Sequence, residues 1–83
     1  MQTSPDDVMR ALAAAGVPPP LRFTQRDTTT ISARFGERTL TAVYYEKQSA
    51  RRYIRVQGAA TRRDFDFTWE GLDGALRELV AKR

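Results

Sequence analysis

The sequence predicts a small α+β protein in which a helix, four or five antiparallel strands and a second helix follow one another (α-β-β-β-β-β-α). Apolar residues recur at helical spacing near both ends, whereas between residues 21 and 69 they alternate with polar residues, as in half-buried strands. Short turn segments separate the strands, which favours a meander sheet with both helices packed on one face. With 83 residues, we expect a single domain, residues 1–83.

The first helix is predicted over about residues 5–15. Ser4 is suited to the N-cap, and Pro5 to the first helical position. Gly16 fits the left-handed position that commonly follows a helix, and the three prolines at 18–20 cannot continue it. We therefore expect a stiff connector between this helix and the first strand, which is short and is the strand that a four-stranded sheet would lack.

A tight hairpin is predicted at Gly36-Glu37, because glycine at the first of two turn residues suits a hairpin loop. This turn pairs Phe35 with Arg38 and so determines which residues share a face with Phe35. The residues expected on the inner face of the first three strands are Leu21, Phe23, Ile31, Ala33, Phe35, Leu40, Ala42 and Tyr44.

Two later strands are predicted over residues 53–57 and 64–69, and Thr68 can cap a final helix. Inner-face residues of these strands are Ile54, Val56, Phe65, Phe67 and Trp69. The apolar stripe of the final helix is Leu72, Ala75, Leu76, Leu79 and Val80. Six aromatic residues are therefore expected in the core, namely Phe23, Phe35, Tyr44, Phe65, Phe67 and Trp69.

Composition argues against catalysis. The chain has no His and no Cys, which excludes the common nucleophile systems and zinc fingers, and neither common phosphate-binding loop occurs. Asp64 and Asp66 are the one pair of acids on a predicted strand face, and we expect Arg55 opposite Asp66 to neutralise it. We expect a protein that is not an enzyme, with no cofactor, metal or small-molecule substrate, and no motif identifies a known family.

The expected location is the cytoplasm. The N-terminal residues Asp6 and Asp7 are unlike a secretory signal, and the longest apolar run, residues 11–17, is too short to span a bilayer. No membrane partner is expected.

Basic residues and tyrosines are predicted to collect on the outer face, away from both helices. The net charge is +4, and only two of the 14 basic residues are lysines, which can also reflect a GC-rich coding sequence. The outer face is predicted to carry Arg22, Thr24, Ser32, Arg34, Thr39, Thr41, Val43, Tyr45, Tyr53 and Arg55, with Asp64 and Asp66 at one edge. Two connecting segments add Lys47, Arg51 and Arg52, and Arg62 and Arg63.

These residues indicate a binding module for an anionic macromolecule, namely nucleic acid, because guanidinium groups can follow phosphates while tyrosine rings stack on bases. The alternative is a protein-binding accessory or inhibitor module of the kind encoded by phages and mobile elements, because Tyr and Arg also anchor protein interfaces. Either module could be a monomer or a homodimer formed through an edge strand.

Overall fold

The computed structural model describes residues 1–81 and has the predicted helix, sheet and helix in order. Five strands form one antiparallel sheet in the order β1-β2-β3-β4-β5, which confirms the meander and its first strand. The elements are α1 (Pro5–Ala14), β1 (Leu21–Gln25), β2 (Thr28–Phe35), β3 (Arg38–Tyr45), a 3-10 turn (Ser49–Arg51), β4 (Tyr53–Gln57), β5 (Arg62–Phe65) and α2 (Trp69–Val80).

Helix α1 begins as its sequence predicts. The Ser4 hydroxyl accepts a hydrogen bond from the Asp7 amide, and the Asp7 carboxylate accepts one from the Ser4 amide at 3.1 Å, which together make a capping box. Arg10 donates to Asp7 at 2.6 Å and, with the Ser4 contacts, lowers the pKa of Asp7 to about 2. Gly16 follows the helix with φ 79°, the left-handed conformation expected of it.

One core lies between the sheet and both helices. Helix α1 packs on β2 and β3, and α2 packs on β3, β4 and β5. The 3.6-residue spacing of the helices and the alternation of the strands place one side of each element against this core. Its buried residues are Val8, Leu12, Val17, Ile31, Ala33, Leu40, Ala42, Ile54, Val56, Phe67, Leu72, Ala75 and Leu79.

The side chains of strand β1 lie on the opposite faces of the sheet from those predicted. The register pairs Leu21 with Ser32 and Phe23 with Thr30, so these two apolar residues lie on the face away from the helices. Arg22 lies on the helix side, where its Nη1 donates to Asp6 at 2.7 Å. The reason is the two-residue turn at residues 26–27, which pairs odd-numbered residues of β1 with even-numbered residues of β2, whereas we expected the odd-numbered residues of both strands on the inner face.

Both tight hairpins of the sheet have a left-handed first turn residue, with φ 58° at Arg26 and 62° at Gly36. Glycine adopts this conformation freely, whereas arginine is strained there. We expect Arg26→Gly to raise the free energy of unfolding by about 0.5–1 kcal/mol and Gly36→Ala to lower it by about 1 kcal/mol, measured by urea denaturation.

The two variants are matched, because they exchange glycine and a larger residue at equivalent turn positions. A Cβ at Gly36 would meet no atom within 4 Å, so the loss there would come from the backbone conformation alone. A clear loss of stability in Arg26→Gly would contradict the strain that we assign to this turn.

The last strand is shorter and lies in a different register than the alternation predicts. Strand β5 ends at Phe65, and α2 begins at Trp69. Gln57 pairs with Arg62, because a hydrogen bond between the Gly58 amide and the Thr61 carbonyl closes a tight loop. Arg55 consequently faces Asp64, and the predicted pairing of Arg55 with Asp66 is wrong.

Aromatic residues divide between the core and the surface differently from the prediction. Phe67 is buried, and Tyr44 and Phe65 are partly buried against the core. Phe23 is 58% exposed, Trp69 is 43% exposed and Phe35 is 37% exposed, so these three were wrongly predicted as core residues. Trp69 is the first residue of α2, and the helix rather than strand alternation orients its side chain.

Helix α2 is held at both ends. Thr68 is the N-cap, as predicted, and its hydroxyl accepts a hydrogen bond from the Gly71 amide. At the other end, Arg38 Nη1 donates to the carbonyl oxygens of Glu78, at 2.7 Å, and Ala81, at 3.0 Å. A cation at this position also interacts favourably with the negative end of the helix dipole. Over residues 1–81, neither helix is long and apolar enough to cross a membrane.

Candidate binding surface

No helix or strand within residues 1–81 covers the face of the sheet opposite both helices, and we call it the open face. Side chains of one strand alternate between two faces, and residues paired across strands share a face, so the register defines its members. They are Leu21, Phe23, Gln25, Thr28, Thr30, Ser32, Arg34, Thr39, Thr41, Val43, Tyr45, Tyr53, Arg55, Gln57, Arg62 and Asp64.

Two tyrosines of the open face each carry a guanidinium group over the ring. The Arg51 guanidinium carbon lies 4.6 Å from the centre of the Tyr45 ring, and that of Arg55 lies 4.8 Å from the centre of the Tyr53 ring. Both separations are within the range of cation–π attraction. Val43, which pairs with Tyr53 on this face, is only 7% exposed.

Arg55 is held by Asp64. Its Nε donates to Asp64 Oδ1 at 2.8 Å and its Nη2 donates to Oδ2 at 3.3 Å, which makes a forked ion pair across β4 and β5. This hydrogen bonding raises the pKa of Arg55 and lowers the pKa of Asp64. The pair fixes the guanidinium over Tyr53 and leaves little net charge at this point of the surface.

Charge is distributed unevenly over the fold. Asp64 is the one acidic residue within the five strands, which carry six arginines. The other acids lie in the helices, in the turns or beside them. Among the described residues, strands β1 to β4 therefore contribute no carboxylate to the open face, and Asp27 of the turn between β1 and β2 borders it beside Phe23 and Gln25.

Some of the predicted binding residues lie on or beside the open face. Arg34, Tyr45, Tyr53, Arg55 and Arg62 are strand residues of this face. Arg51 joins them through Tyr45. Lys47 is an exposed residue of the connection between β3 and β4.

Arg22, Arg52 and Arg63 do not belong to the open face. Strand pairing places Arg22 and Arg63 on the helix side, and the Arg63 guanidinium lies 5.1 Å from the Phe65 ring. Arg52 lies over Tyr44, a ring that packs against the core, at 4.0 Å. Thr24, which was also predicted for the outer face, likewise lies on the helix side.

Arg52 is a structural residue rather than a free cation. Its Nε donates to the Tyr45 carbonyl at 2.8 Å, its Nη2 to the Glu46 carbonyl at 3.0 Å, and its Nη1 to Gln2 Oε1 at 3.0 Å. These bonds tie the connection after β3 to the N-terminal segment. Each of its three guanidinium nitrogens thus donates a hydrogen bond within the fold.

Sequence reasoning missed two exposed apolar residues of the open face, Leu21 at 76% and Phe23 at 58% exposure. They form an apolar strip along β1, beside the hydroxyl residues of β2. The signal that could have revealed them is a two-residue turn at Arg26-Asp27. Arginine is an unusual residue at its first position, so ordinary turn preferences do not mark it.

Comparison of the chain with protein-family models, with curated proteins and with solved structures returned no match.

Proposed function

We propose that this protein is a non-catalytic module that binds single-stranded nucleic acid on the open face of its sheet. The observation that carries the proposal is the two cation–π pairs, Tyr45 with Arg51 and Tyr53 with Arg55, on a face with few acidic residues. Single-strand binding proteins combine aromatic platforms for bases with cations for phosphates.

Stacking supports the proposal. The guanidinium groups and the tyrosine rings are planar, so an unpaired base can lie against either pair or against the exposed Phe23 ring. The open sheet gives these groups no enclosing walls, which suits a flexible strand more than a rigid duplex.

Exposed basic residues around the two tyrosines also support the proposed binding of nucleic acid. Arg34, Lys47, Arg51 and Arg62 are exposed, and they lie at both ends of the strands that carry the tyrosines. Arg55 contributes less charge, because Asp64 neutralises it. Phosphate contacts by the exposed cations would release bound counterions and make binding strongly dependent on salt.

Fluorescence anisotropy with labelled oligo-dT and oligo-rU tests this function. We expect Tyr53→Ala to weaken binding by about 1–3 kcal/mol through lost stacking. Arg62→Ala should reduce the slope of log affinity against log salt by about 0.7, measured between about 50 mM and about 200 mM salt.

Arg63→Ala is the matched control, because Arg63 is exposed and adjacent to Arg62 but lies on the helix side. It should leave both affinity and salt slope unchanged. Equal losses in Arg62→Ala and Arg63→Ala, or no binding of either oligonucleotide at the lower salt concentration, would refute the proposal.

A protein partner is the second candidate, and the exposed Leu21 and Phe23 favour it. Apolar residues beside Tyr and Arg are typical of protein interfaces, and small accessory or inhibitor proteins of phages and mobile elements would use such a surface. In that case the tyrosines would still matter, but binding would depend little on salt. A capture experiment with and without nuclease separates the two candidates.

A further inference from the structure

Strand β1 is the most exposed element of the sheet. All five of its residues are exposed, including Leu21 at 76% and Phe23 at 58%. The two helices pack on β2 to β5, and β1 is an edge strand of the described sheet. Unpaired edge strands with apolar side chains are templates for pairing with another strand.

The two edges of the sheet differ in character. Strand β5 presents Arg62, Arg63 and Asp64 along its four residues, and charged side chains are a common protection against strand pairing. Strand β1 has a single charged residue, Arg22, which is paired with Asp6 on the helix side. The edge formed by β1 is therefore the unprotected one.

Backbone groups of β1 point outward at two residues. A two-residue turn makes its flanking residues, Gln25 and Thr28, a hydrogen-bonded pair, so the amides of Leu21, Phe23 and Gln25 face β2. The N–H and C=O groups of Arg22 and Thr24 therefore point away from the sheet. These four groups can bond an added antiparallel strand.

We propose that the protein forms a symmetric homodimer in which β1 pairs antiparallel with β1 of a second copy, with Phe23 on the two-fold axis. Arg22 then exchanges hydrogen bonds with Thr24 of the partner subunit. Phe23 faces Phe23 of the partner subunit as a non-hydrogen-bonded pair, the arrangement in which opposing side chains lie closest. The dimer joins two sheets into one of ten strands and does not depend on the proposed nucleic-acid function.

Strand β1 is complementary to β1 of a second copy of the chain. Centred on Phe23, the pairing places the apolar side chains of both copies on the same face and sets Arg22 opposite a threonine rather than a like charge. Each Arg22 charge is also balanced by Asp6 of its own chain. An isologous contact of this kind needs a surface that complements itself, and this strand provides one.

Pro20 restricts the register. Centring the pairing on Leu21 would place Pro20 opposite Arg22 at a hydrogen-bonded position, and proline has no amide hydrogen to donate. Centring it on Gln25 would set Thr24 against Arg26, which belongs to the turn. Only the register centred on Phe23 pairs all five residues of β1.

Cysteine cross-linking tests the register, because the chain contains no other cysteine. Non-hydrogen-bonded residues that face each other have Cα atoms about 4.5 Å apart, which a disulfide can bridge. We expect Phe23→Cys to oxidise to a covalent dimer. In Leu21→Cys, the two thiols would lie about 13 Å apart along the strands, too far to bridge. A covalent dimer of Leu21→Cys formed as readily, or none of Phe23→Cys, would overturn the proposed register.

Molar mass from sedimentation equilibrium, in the absence of nucleic acid, tests the dimer itself. We expect wild-type protein to dimerise and Thr24→Pro to weaken the dimer about 30-fold, because it removes one outward amide from each copy. Thr24→Ala keeps that amide and should retain the dimer. Wild-type protein that stays monomeric up to about 1 mM would overturn the proposal, as would a dimer unaffected by Thr24→Pro.

Discussion

Phe67→Ala should lower the free energy of unfolding by about 3–5 kcal/mol, which is most of the stability of so small a domain. Phe67 is 4% exposed in the core and makes an edge-to-face contact with Tyr44, with ring centres 5.2 Å apart. Its removal leaves a cavity that the sheet and helices cannot close. Thermal unfolding followed by circular dichroism should show a drop in Tm of at least about 12 °C.

Trp69→Ala is the informative comparison for this variant. Alternation predicts that Trp69 and Phe67 are equivalent core residues, whereas the structure leaves Trp69 43% exposed at the start of α2. We expect Trp69→Ala to cost about 1–2 kcal/mol, well below the cost of Phe67→Ala. Equal losses of stability in the two variants would contradict our conclusion that β5 ends at Phe65 and that Trp69 lies outside the core.

Gly71→Ala should destabilise the protein by about 2–3 kcal/mol, although alanine is the better helix former by about 1 kcal/mol. A Cβ at Gly71 would lie 1.9 Å from the carbonyl oxygen of Asp66 and 2.9 Å from its carbonyl carbon. Both atoms belong to the backbone, so the first turn of α2 would have to move. That movement would also disturb the hydrogen bond from the Gly71 amide to the Thr68 hydroxyl.

Gly74→Ala is the matched control in the same helix. Its Cβ would lie 3.0 Å from Cε2 of the Phe65 ring, a side chain that can adjust. Helix propensity and this crowding oppose each other, so the stability should stay within about 1 kcal/mol of wild type. Urea denaturation of both variants measures the difference. Similar stabilities would show that the close approach of Asp66 does not restrict residue 71.

Helix ends and the central hairpin could be predicted from short segments. Ser4 and Thr68 act as N-caps because their hydroxyl oxygens accept hydrogen bonds from amides three residues later, an interaction that depends on local sequence alone. Gly36-Glu37 fixes the pairing of β2 with β3, and alternation then defines both faces of these strands. Alternation within β3 and within β4 also placed Tyr45, Tyr53 and Arg55 correctly on the open face.

The rest of the candidate surface depended on contacts between distant residues. Arg52 is of a residue type that often binds anions. Its guanidinium instead lies over the Tyr44 ring and donates hydrogen bonds to the Tyr45 carbonyl and to Gln2 Oε1. The sequence assigned Arg38 only to the hairpin opposite Phe35, although its side chain also caps the far end of α2. Whether an arginine is free or engaged is decided by partners that sequence spacing does not reveal.

By itself, the sequence determined the order of the elements, the helix caps, the central hairpin and the absence of cysteine and histidine chemistry. Only the tertiary structure decided the face of β1, the end of β5 and the exposure of Trp69. The physical reason is the two-residue period of a strand: the length of one turn determines the face on which every residue of the next strand lies, and Arg26 adopts a turn conformation that its residue type disfavours.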